Sequence, residues 1–255
     1  MTTEFEARRQ IVEVGRRLWL KGYVAANDGN LSVRLRDGRI VITPTGVSKG
    51  FLEPDALIVV DAEGRKLRGR LEPTSEIRMH LFAYDRRPDV SAVVHAHPPK
   101  ATGFSAAGVP LAQCILPEVV LSLGDVPTAP YATPSTEEVA RSIELFIGGY
   151  NAMILRRHGV LTLGAGIFEA YWRMETVEHV ADITLVAKLM GGAPPLSNEE
   201  VRKLLKLREK LGTTTSAPCA SCGGCGTTAA APAKSTDGGI VDEVVRRVTE
   251  SLGRP

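Results

Sequence analysis

Apolar residues recur at helical spacing in several stretches of the chain. Near the N-terminus, Ile11, Val14 and Leu18 fall on one face, after a Thr3-x-x-Glu6 capping box and before Gly22. Such a pattern predicts a helix with a defined start and end. Further helices are predicted to begin at Pro73-Thr74-Ser75, near Lys100 and at Pro134, and to extend over Ile167–Met190 and Glu199–Leu211.

Short runs of apolar and β-branched residues lie between these helices. Leu31–Leu35 and Arg39–Thr43 flank Asp37-Gly38, a dipeptide that favours a tight hairpin turn. Further strands are predicted at Ala56–Asp61, Lys66–Arg70, Val93–Val94 and Ala152–Leu155. With 255 residues and 44% hydrophobic residues, the chain suits one α/β domain, or one such domain with an appendage.

The composition changes abruptly after residue 211. Residues 212–239 contain no Leu, Ile, Val, Met or aromatic residue, so this segment cannot bury enough apolar area to offset its ordering entropy. We therefore predict a domain at 1–211 and a flexible linker at 212–239. In residues 240–255, apolar positions fall on one face of a predicted helix, which is too short to be stable alone and implies a docking partner. The alternative is a disordered tail with chance patterning.

Charge and cysteine content exclude several classes of protein. The formal net charge is only +2, which gives no electrostatic reason to expect a nucleic-acid partner. No run of 18 apolar residues occurs, and Met1–Arg9 is charged, so we expect neither a membrane span nor a signal peptide. Cys114 stands alone, and Cys219, Cys222 and Cys225 crowd into the linker, unlike a disulfide framework. We expect a soluble, cytoplasmic protein.

Two histidines form the strongest chemical signal. His95 and His97 lie at the end of a predicted strand, and residues two apart on a strand share a face, so both imidazoles can reach one metal ion. Two polar residues at a solvent-facing strand end are the alternative. His158 also follows a strand and precedes Gly159, and three histidines around zinc leave one coordination position open for catalysis.

Glu76 is the candidate acid/base. It follows Thr74-Ser75 at a predicted helix start, and a carboxylate beside an open metal position can move a proton on a carbon next to a carbonyl. The alternative is a first-turn glutamate that complements the helix dipole. His80 is interpreted as a helix-pairing or packing residue and His179 as a helix-surface or interface residue.

Three separate turns consist of small polar residues that can together bind a phosphate through backbone N–H and hydroxyl groups. Their residues are Gly29, Asn30, Thr45, Gly46, Thr74 and Ser75.

Several motifs occur in a characteristic order along the chain. They are Gly29-Asn30-Leu31-Ser32-Val33-Arg34, Ile42-Thr43-Pro44-Thr45-Gly46, Glu72-Pro73-Thr74-Ser75-Glu76, Val93-Val94-His95-Ala96-His97, Ala129-Pro130-Tyr131 and His158-Gly159. In this order, residues 5–210 resemble the zinc-dependent class II aldolase family, which includes L-fuculose-1-phosphate aldolase and L-ribulose-5-phosphate 4-epimerase.

The resemblance implies a three-layer α/β/α fold around a largely antiparallel sheet, in a C4 homotetramer with sites at subunit interfaces. It also implies one Zn²⁺ per subunit on His95, His97 and His158, with Glu76 as catalytic acid/base. The six turn residues would bind the substrate phosphate. The reaction implied is reversible cleavage of a ketose 1-phosphate, such as L-fuculose 1-phosphate, to dihydroxyacetone phosphate and a short aldehyde such as lactaldehyde.

Other activities remain open at this point. Epimerases of the family typically have Asp where this chain has Glu76, which favours an aldolase. A methylthioribulose-1-phosphate dehydratase and a non-catalytic scaffold are the remaining alternatives. The fuculose-phosphate enzyme uses a tyrosine as proton donor to the aldehyde, and Cys114 falls near that position here. Another residue, water or a different substrate would account for the difference.

The C-terminus resembles the encapsulation peptides that target enzymes into bacterial microcompartments. This resemblance implies shell proteins as partners of residues 240–252 and a location inside such a compartment. Cys219, Cys222 and Cys225 could bind a metal or cluster, or be redox-sensitive or incidental thiols.

Overall fold

The computed structural model describes residues 2–111, 114–192 and 194–211. The predicted linker at 212–239 and the helix at 240–255 lie outside these residues, so both remain predictions, as does the domain boundary at residue 211. Within the described part of the chain, no helix combines the length and hydropathy needed to cross a membrane.

Seven α-helices occur in the described residues. They are α1 (Glu4–Leu20), α2 (Ile77–Arg86), α3 (Pro99–Ala106), α4 (Pro117–Ser122), α5 (Glu137–Ile147), α6 (Ile167–Leu189) and α7 (Asn198–Lys210). The predicted capping box forms at α1, where the Thr3 hydroxyl accepts from the backbone N–H of Glu6 and the Glu6 carboxylate accepts from that of Thr3. Ser197 and Glu200 begin α7 in the same way. These helix starts satisfy backbone donors that would otherwise lack partners.

The strands form one sheet of eight in the order β4-β3-β2-β1-β5-β8-β7-β6. They are β1 (Asn30–Arg34), β2 (Ile40–Ile42), β3 (Ile58–Val60), β4 (Lys66–Arg68), β5 (Ala92–Ala96), β6 (Thr128–Ala129), β7 (Ala152–Leu155) and β8 (Gly159–Gly164). Only the β6–β7 pair is parallel. The predicted α/β fold with a largely antiparallel central sheet is confirmed.

Helices cover both faces of the sheet, because successive residues of its central strands point to opposite sides. On one face, Val94 of β5 belongs to an apolar cluster with residues of α1, α3 and α6. On the other face, Val93 belongs to a second cluster with residues of α2 and α5. The result is the three-layer α/β/α arrangement, with a buried sheet between two apolar cores.

The start of α2 differs from the prediction. Pro73 forms an isolated antiparallel bridge with Pro44, so the segment before the helix pairs with the sheet instead of beginning the helix. Glu76 is the residue that precedes the first helical residue, Ile77, and its φ and ψ of −95° and 15° are not helical. The carboxylate is therefore placed by the junction between this bridge and α2 rather than by a helical first turn.

Candidate active site

His95 and His97 lie at the end of the central strand β5. This strand pairs with β1 on one side and with β8 on the other, and His95 is directly opposite Asn30. The His95 side chain is completely buried. His97 follows the strand, and its backbone N–H donates to the carbonyl of Tyr23 at 2.8 Å. The position of both histidines is thus fixed by backbone hydrogen bonds.

His158 reaches the same point from the tight connection between β7 and β8. Arg157 has a φ of 57° in this turn, and the His158 N–H donates to the carbonyl of Leu155 at 3.0 Å. Gly159 then allows close packing, because a Cβ there would lie 2.5 Å from the carbonyl oxygen of Ala96 and 2.6 Å from His97 Cδ2. The glycine after His158 therefore lets the β7–β8 turn approach the end of β5.

The three histidines converge on one point. One ring nitrogen of each lies within 4.8 Å of the other two, and the Nε2 atoms of His95 and His97 are 3.1 Å apart. Glu76 completes the cluster, with Oε2 3.3 Å from His95 Nε2 and Oε1 3.4 Å from His158 Nε2. The predicted metal ligands and the predicted acid/base thus occupy the same site.

Neighbouring groups fix which ring nitrogen faces the centre. His95 Nδ1 donates to the carbonyl of Val160 at 3.0 Å, so its Nε2 keeps a lone pair. His97 Nδ1 lies 3.4 Å from Asp28 Oδ2, which favours the same tautomer. Burial lowers the pKa of His95 well below its ordinary value, and burial also lowers the pKa of His158. The His95 and His158 rings are therefore neutral near pH 7 and available as ligands.

A divalent cation fits this donor set. Three imidazoles supply nitrogen ligands of the kind zinc prefers. In addition, Glu76 Oε1 is buried and has no hydrogen-bond partner among the described residues, and a buried polar atom without a partner is costly. A cation held by the histidine lone pairs would offset this cost through its nearby positive charge.

A cavity of about 290 Å³ opens from the Glu76 and His158 side chains. Its other wall consists of the three predicted phosphate turns, which backbone hydrogen bonds hold together. The N–H of Thr45 donates to the carbonyl of Glu72 at 3.0 Å, and the N–H of Thr74 donates to that of Thr43 at 3.1 Å. The six predicted residues, Gly29, Asn30, Thr45, Gly46, Thr74 and Ser75, all line this cavity.

Asn30 differs from the other five residues in its side-chain contacts. Its amide Nδ2 donates to Glu76 Oε2 at 2.8 Å, and its Oδ1 contacts His80 Nε2 at 2.5 Å. The amide is therefore engaged within the protein. His80 is fully buried and also contacts Ser32 Oγ at 2.7 Å, so the interpretation of His80 as a helix-pairing or packing residue is incomplete.

Two residues of the site were not recognised in the sequence. Lys49 is 1% exposed, and its Nζ donates to the carbonyls of Asn27 and Val47, each at 2.7 Å. Ser135 lines the cavity, and its hydroxyl donates to Ser75 Oγ at 2.8 Å. No local pattern marks Lys49, and Ser135 was considered only as part of a helix start.

Comparison with known proteins agrees with this geometry. The sequence profile of the family described as Class II Aldolase and Adducin N-terminal domain matches residues 9–185. An L-fuculose phosphate aldolase from Escherichia coli is 33% identical over 199 residues, covering 78% of this chain and 92% of the relative. The chain belongs to the class II aldolase family. The family is metal-dependent, and its membership supports a lyase.

Further relatives of this class II aldolase include a second activity. A methylthioribulose-1-phosphate dehydratase from Methylococcus capsulatus is 35% identical over 197 residues, covering 71% of this chain and 94% of the relative. A solved L-fuculose 1-phosphate aldolase structure is 30% identical, has a TM-score of 0.75, and covers 83% of this chain and 98% of the other. The corresponding enzyme from Thermus thermophilus is 32% identical with a TM-score of 0.66, covering 74% and 98%.

Cys114 and His179 do not line the cavity beside Glu76 and His158. The Cys114 side chain is completely buried in a small cluster with Val120 and Val201, so it does not face substrate in the place of the family tyrosine. His179 is exposed on α6, as expected of a helix-surface residue.

Proposed function

We propose that this class II aldolase is zinc-dependent and reversibly cleaves a ketose 1-phosphate, L-fuculose 1-phosphate or a close relative. The products are dihydroxyacetone phosphate and a short aldehyde such as lactaldehyde. The named L-fuculose phosphate aldolases among its relatives support the substrate class. The observation that carries the proposal is the position of Glu76, between three histidines and a cavity lined by phosphate-type turns.

Glu76 performs the proton transfer in this proposal. Breaking the C3–C4 bond converts the C4 hydroxyl into the aldehyde carbonyl, with loss of its proton to water, and leaves the electron pair of that bond on C3. Protonation of C3 then completes dihydroxyacetone phosphate. Glu76 Oε1 faces the site and makes no hydrogen bond among the described residues, so it is free to hold this proton and release it to C3. His95, His97 and His158 would hold the zinc ion, whose positive charge would stabilise the electron-rich oxygens beside C3.

The phosphate end of the substrate lies against the three turns. Gly29 and Gly46 both have a φ of 72°, a left-handed conformation that turns backbone N–H groups toward one side. Thr45, Thr74 and Ser75 add hydroxyl donors around the same cavity. Asn30 adds the second hydrogen of its Nδ2, since the first is donated to Glu76. Together these residues bind the phosphate and leave the carbonyl end of the sugar near Glu76.

A methylthioribulose-1-phosphate dehydratase is the second candidate function. The relative with that name is as similar to this chain as the aldolases are. The burial of Cys114, at the position that the resemblance assigns to the aldolase tyrosine, also favours it. An epimerase is less well supported because Glu76 stands where those enzymes typically have Asp.

A substrate panel tests the proposal. The zinc-loaded enzyme is incubated with fuculose, rhamnulose and methylthioribulose 1-phosphates, and dihydroxyacetone phosphate is measured in a coupled assay. We expect release from a deoxyketose 1-phosphate and a fall of about 10²- to 10⁴-fold in Glu76→Gln. Glu63→Gln, an exposed hairpin residue, should match the wild type.

Release from Glu76→Gln at the wild-type rate would contradict the mechanism. Loss of water from methylthioribulose 1-phosphate, with no release of dihydroxyacetone phosphate, would establish the dehydratase instead. No turnover on any sugar phosphate at saturating zinc would indicate a non-catalytic scaffold.

We also propose that the subunits form a homotetramer, and that residues 240–252 dock on microcompartment shell proteins. The amphipathic pattern behind a long apolar-free linker supports the second point. Removing residues 212–255 should leave turnover intact and abolish co-purification with shell proteins. Loss of turnover would show instead that the tail belongs to the active site.

A further inference from the structure

A line of buried polar side chains runs from the interior of the protein to Glu76. It passes between β1 and α2, and each neighbouring pair is joined by a hydrogen bond of 2.5 to 2.8 Å. All four residues behind Glu76 are buried. In order from the interior, they are Tyr84, Ser32, His80 and Asn30.

The hydrogen bonds of this line have only one consistent direction. As a carboxylate, Glu76 can only accept, so Asn30 must present its Nδ2 to Oε2 and its Oδ1 to His80. His80 Nε2 must then carry the ring proton, which leaves Nδ1 as an acceptor. Ser32 therefore donates to Nδ1 and accepts in turn from the Tyr84 hydroxyl.

The protonation states of the two inner groups agree with this direction. Burial lowers the pKa of His80 to about 4, so the ring is neutral near pH 7 and carries a single N–H. Burial also raises the pKa of the Tyr84 phenol, which therefore keeps the proton that it donates to Ser32.

The line makes the two oxygens of Glu76 unequal. Oε2 is held by the Asn30 amide at 2.8 Å, whereas Oε1 has no hydrogen-bond partner among the described residues. An asparagine amide that could rotate would turn Oδ1 toward the carboxylate and repel it. His80 prevents this rotation because its Nε2–H needs an acceptor at the other end of the amide.

We propose that His80 is a positioning residue that, through Asn30, holds Glu76 by Oε2 and leaves Oε1 free for proton transfer. The proposal rests on the proposed function, since it assigns the oxygen of Glu76 that acts there. It also assigns a function to His80, which belongs neither to the histidine cluster nor to the lining of the cavity.

Steady-state kinetics of three zinc-loaded variants test the role of His80. His80→Leu removes both hydrogen bonds, and we expect kcat to fall about 10- to 100-fold with little change in KM or bound zinc. His80→Gln, whose amide can donate to Asn30 and accept from Ser32, should recover most of kcat. Thr162→Val removes comparable buried hydrogen bonds, to Val94 and Ala170, with no link to Glu76.

The control separates positioning from general stability. Thr162→Val should lower the unfolding stability and leave kcat unchanged. If His80→Leu and Thr162→Val have the same kcat, or if the loss in His80→Leu lies entirely in KM or zinc content, the proposal is wrong. If the His80→Leu chain does not fold, His80→Met takes its place as the variant of similar size without an N–H donor, and His80→Gln should be the more active of the two.

A second measurement needs no substrate. Nitrogen-15 NMR of histidine-labelled wild-type protein reports the tautomer of each of the five rings, and the signal missing from His80→Gln assigns His80. We expect a neutral ring with the proton on Nε2 from pH 6 to 8. A proton on Nδ1 would overturn the inference, whereas a wild type without turnover on ketose 1-phosphates would overturn the proposed function.

Discussion

Lys49 places a charged group in the interior, next to the phosphate turns. Its Nζ donates to the carbonyls of Asn27 and Val47, which belong to two different turns of the cavity wall. Burial lowers the pKa of Lys49 to about 8, although the nearby carboxylates of Asp28 and Glu76 oppose this effect. The residue thus joins two turns at the cost of burying a charge.

This cost predicts an unusual dependence of stability on pH. Below pH 8 the lysine is protonated in both folded and unfolded chains, so the full burial cost applies. From pH 8 to 10.5 the folded chain releases the proton while the unfolded chain keeps it, so the unfolded chain binds more protons and stability rises. We expect the free energy of unfolding to rise by about 3 kcal/mol relative to Lys49→Met over this range.

Urea denaturation of wild type and Lys49→Met between pH 7 and 10.5 measures this difference. Lys203→Met serves as the control, because Lys203 is exposed on α7. Its free energy of unfolding should change with pH in the same way as that of the wild type. If the unfolding free energies of Lys49→Met and the wild type also change with pH in the same way, the Lys49 ammonium is solvated in the folded protein.

At the scale of the secondary-structure elements, the site depends on how closely the β7–β8 turn approaches the end of β5. Gly159 stands at this contact, and the nearest obstacle to a side chain there is the backbone carbonyl of Ala96. A backbone atom within a paired strand cannot move aside cheaply, unlike the end of a flexible side chain. The histidines of the two elements are therefore held together through a residue with no side chain.

Gly159→Ala should separate His97 from His158. We expect zinc affinity to fall about 10- to 100-fold, and the added methyl group to lower the unfolding free energy by about 1–3 kcal/mol. Competition with a chromophoric chelator measures the first quantity, and urea denaturation measures the second.

Gly103→Ala is the matched control for this prediction. Gly103 lies within α3, and a Cβ there meets no atom within 4 Å. The change should keep zinc affinity at the wild-type value and stabilise the helix by up to about 1 kcal/mol. Equal zinc affinities in both variants would show that the approach at Gly159 does not determine the ligand geometry.

The elements that the sequence predicted well are those with local signals. The Thr3–Glu6 capping box, the Asp37-Gly38 turn and the Ala152–Leu155 strand all act within a few residues, and each is found in the structure. The strand β8 was missed, since it begins and ends with glycine, which weakens a strand pattern. The late start of α2 reflects the pairing of Pro73 with Pro44, a contact between distant parts of the chain.

The difference between local signals and contacts with distant residues also applies to the site. The histidines and Glu76 stand in recognisable motifs, and the structure brings them together. Lys49 and His80 could not be assigned from the sequence because their roles depend on partners far along the chain. The Nζ of Lys49 meets carbonyls of two separate turns, and His80 of α2 meets Asn30 and Ser32 of β1.

At the scale of the whole molecule, several large apolar side chains are exposed on the subunit. Trp172 is 57% exposed on α6, and Leu189 near the end of the same helix is 59% exposed. Burying such residues is favourable at about 25 cal/mol per Å², and exposed apolar surface of this kind often marks an interface. This surface supports the proposed tetramer.

The tetramer predicts a mass of about four times 27.4 kDa in solution. Light scattering of the full chain at micromolar concentration measures it. Trp172→Glu should reduce the mass because a charge would be buried at the interface. Leu145→Glu, on α5, is the control, since Leu145 is exposed away from α6. An unchanged mass for Trp172→Glu would place the interface elsewhere, and a wild-type mass of 27.4 kDa would exclude the tetramer.

The antiparallel pairing of β5 with β8 also sets the order in which the protein can gain its metal site during folding. Until these strands pair, the chain offers His95 and His97 without the third ligand, because His158 is held by the turn into β8. Closing the long loop between β5 and β8 costs conformational entropy that local contacts do not offset. The complete ligand set therefore forms only once β5 and β8 have paired. If this pairing follows the folding transition state, an ion on the complete set would slow unfolding and leave the folding rate unchanged. Zinc would then govern the lifetime of the folded subunit more than the speed of its formation.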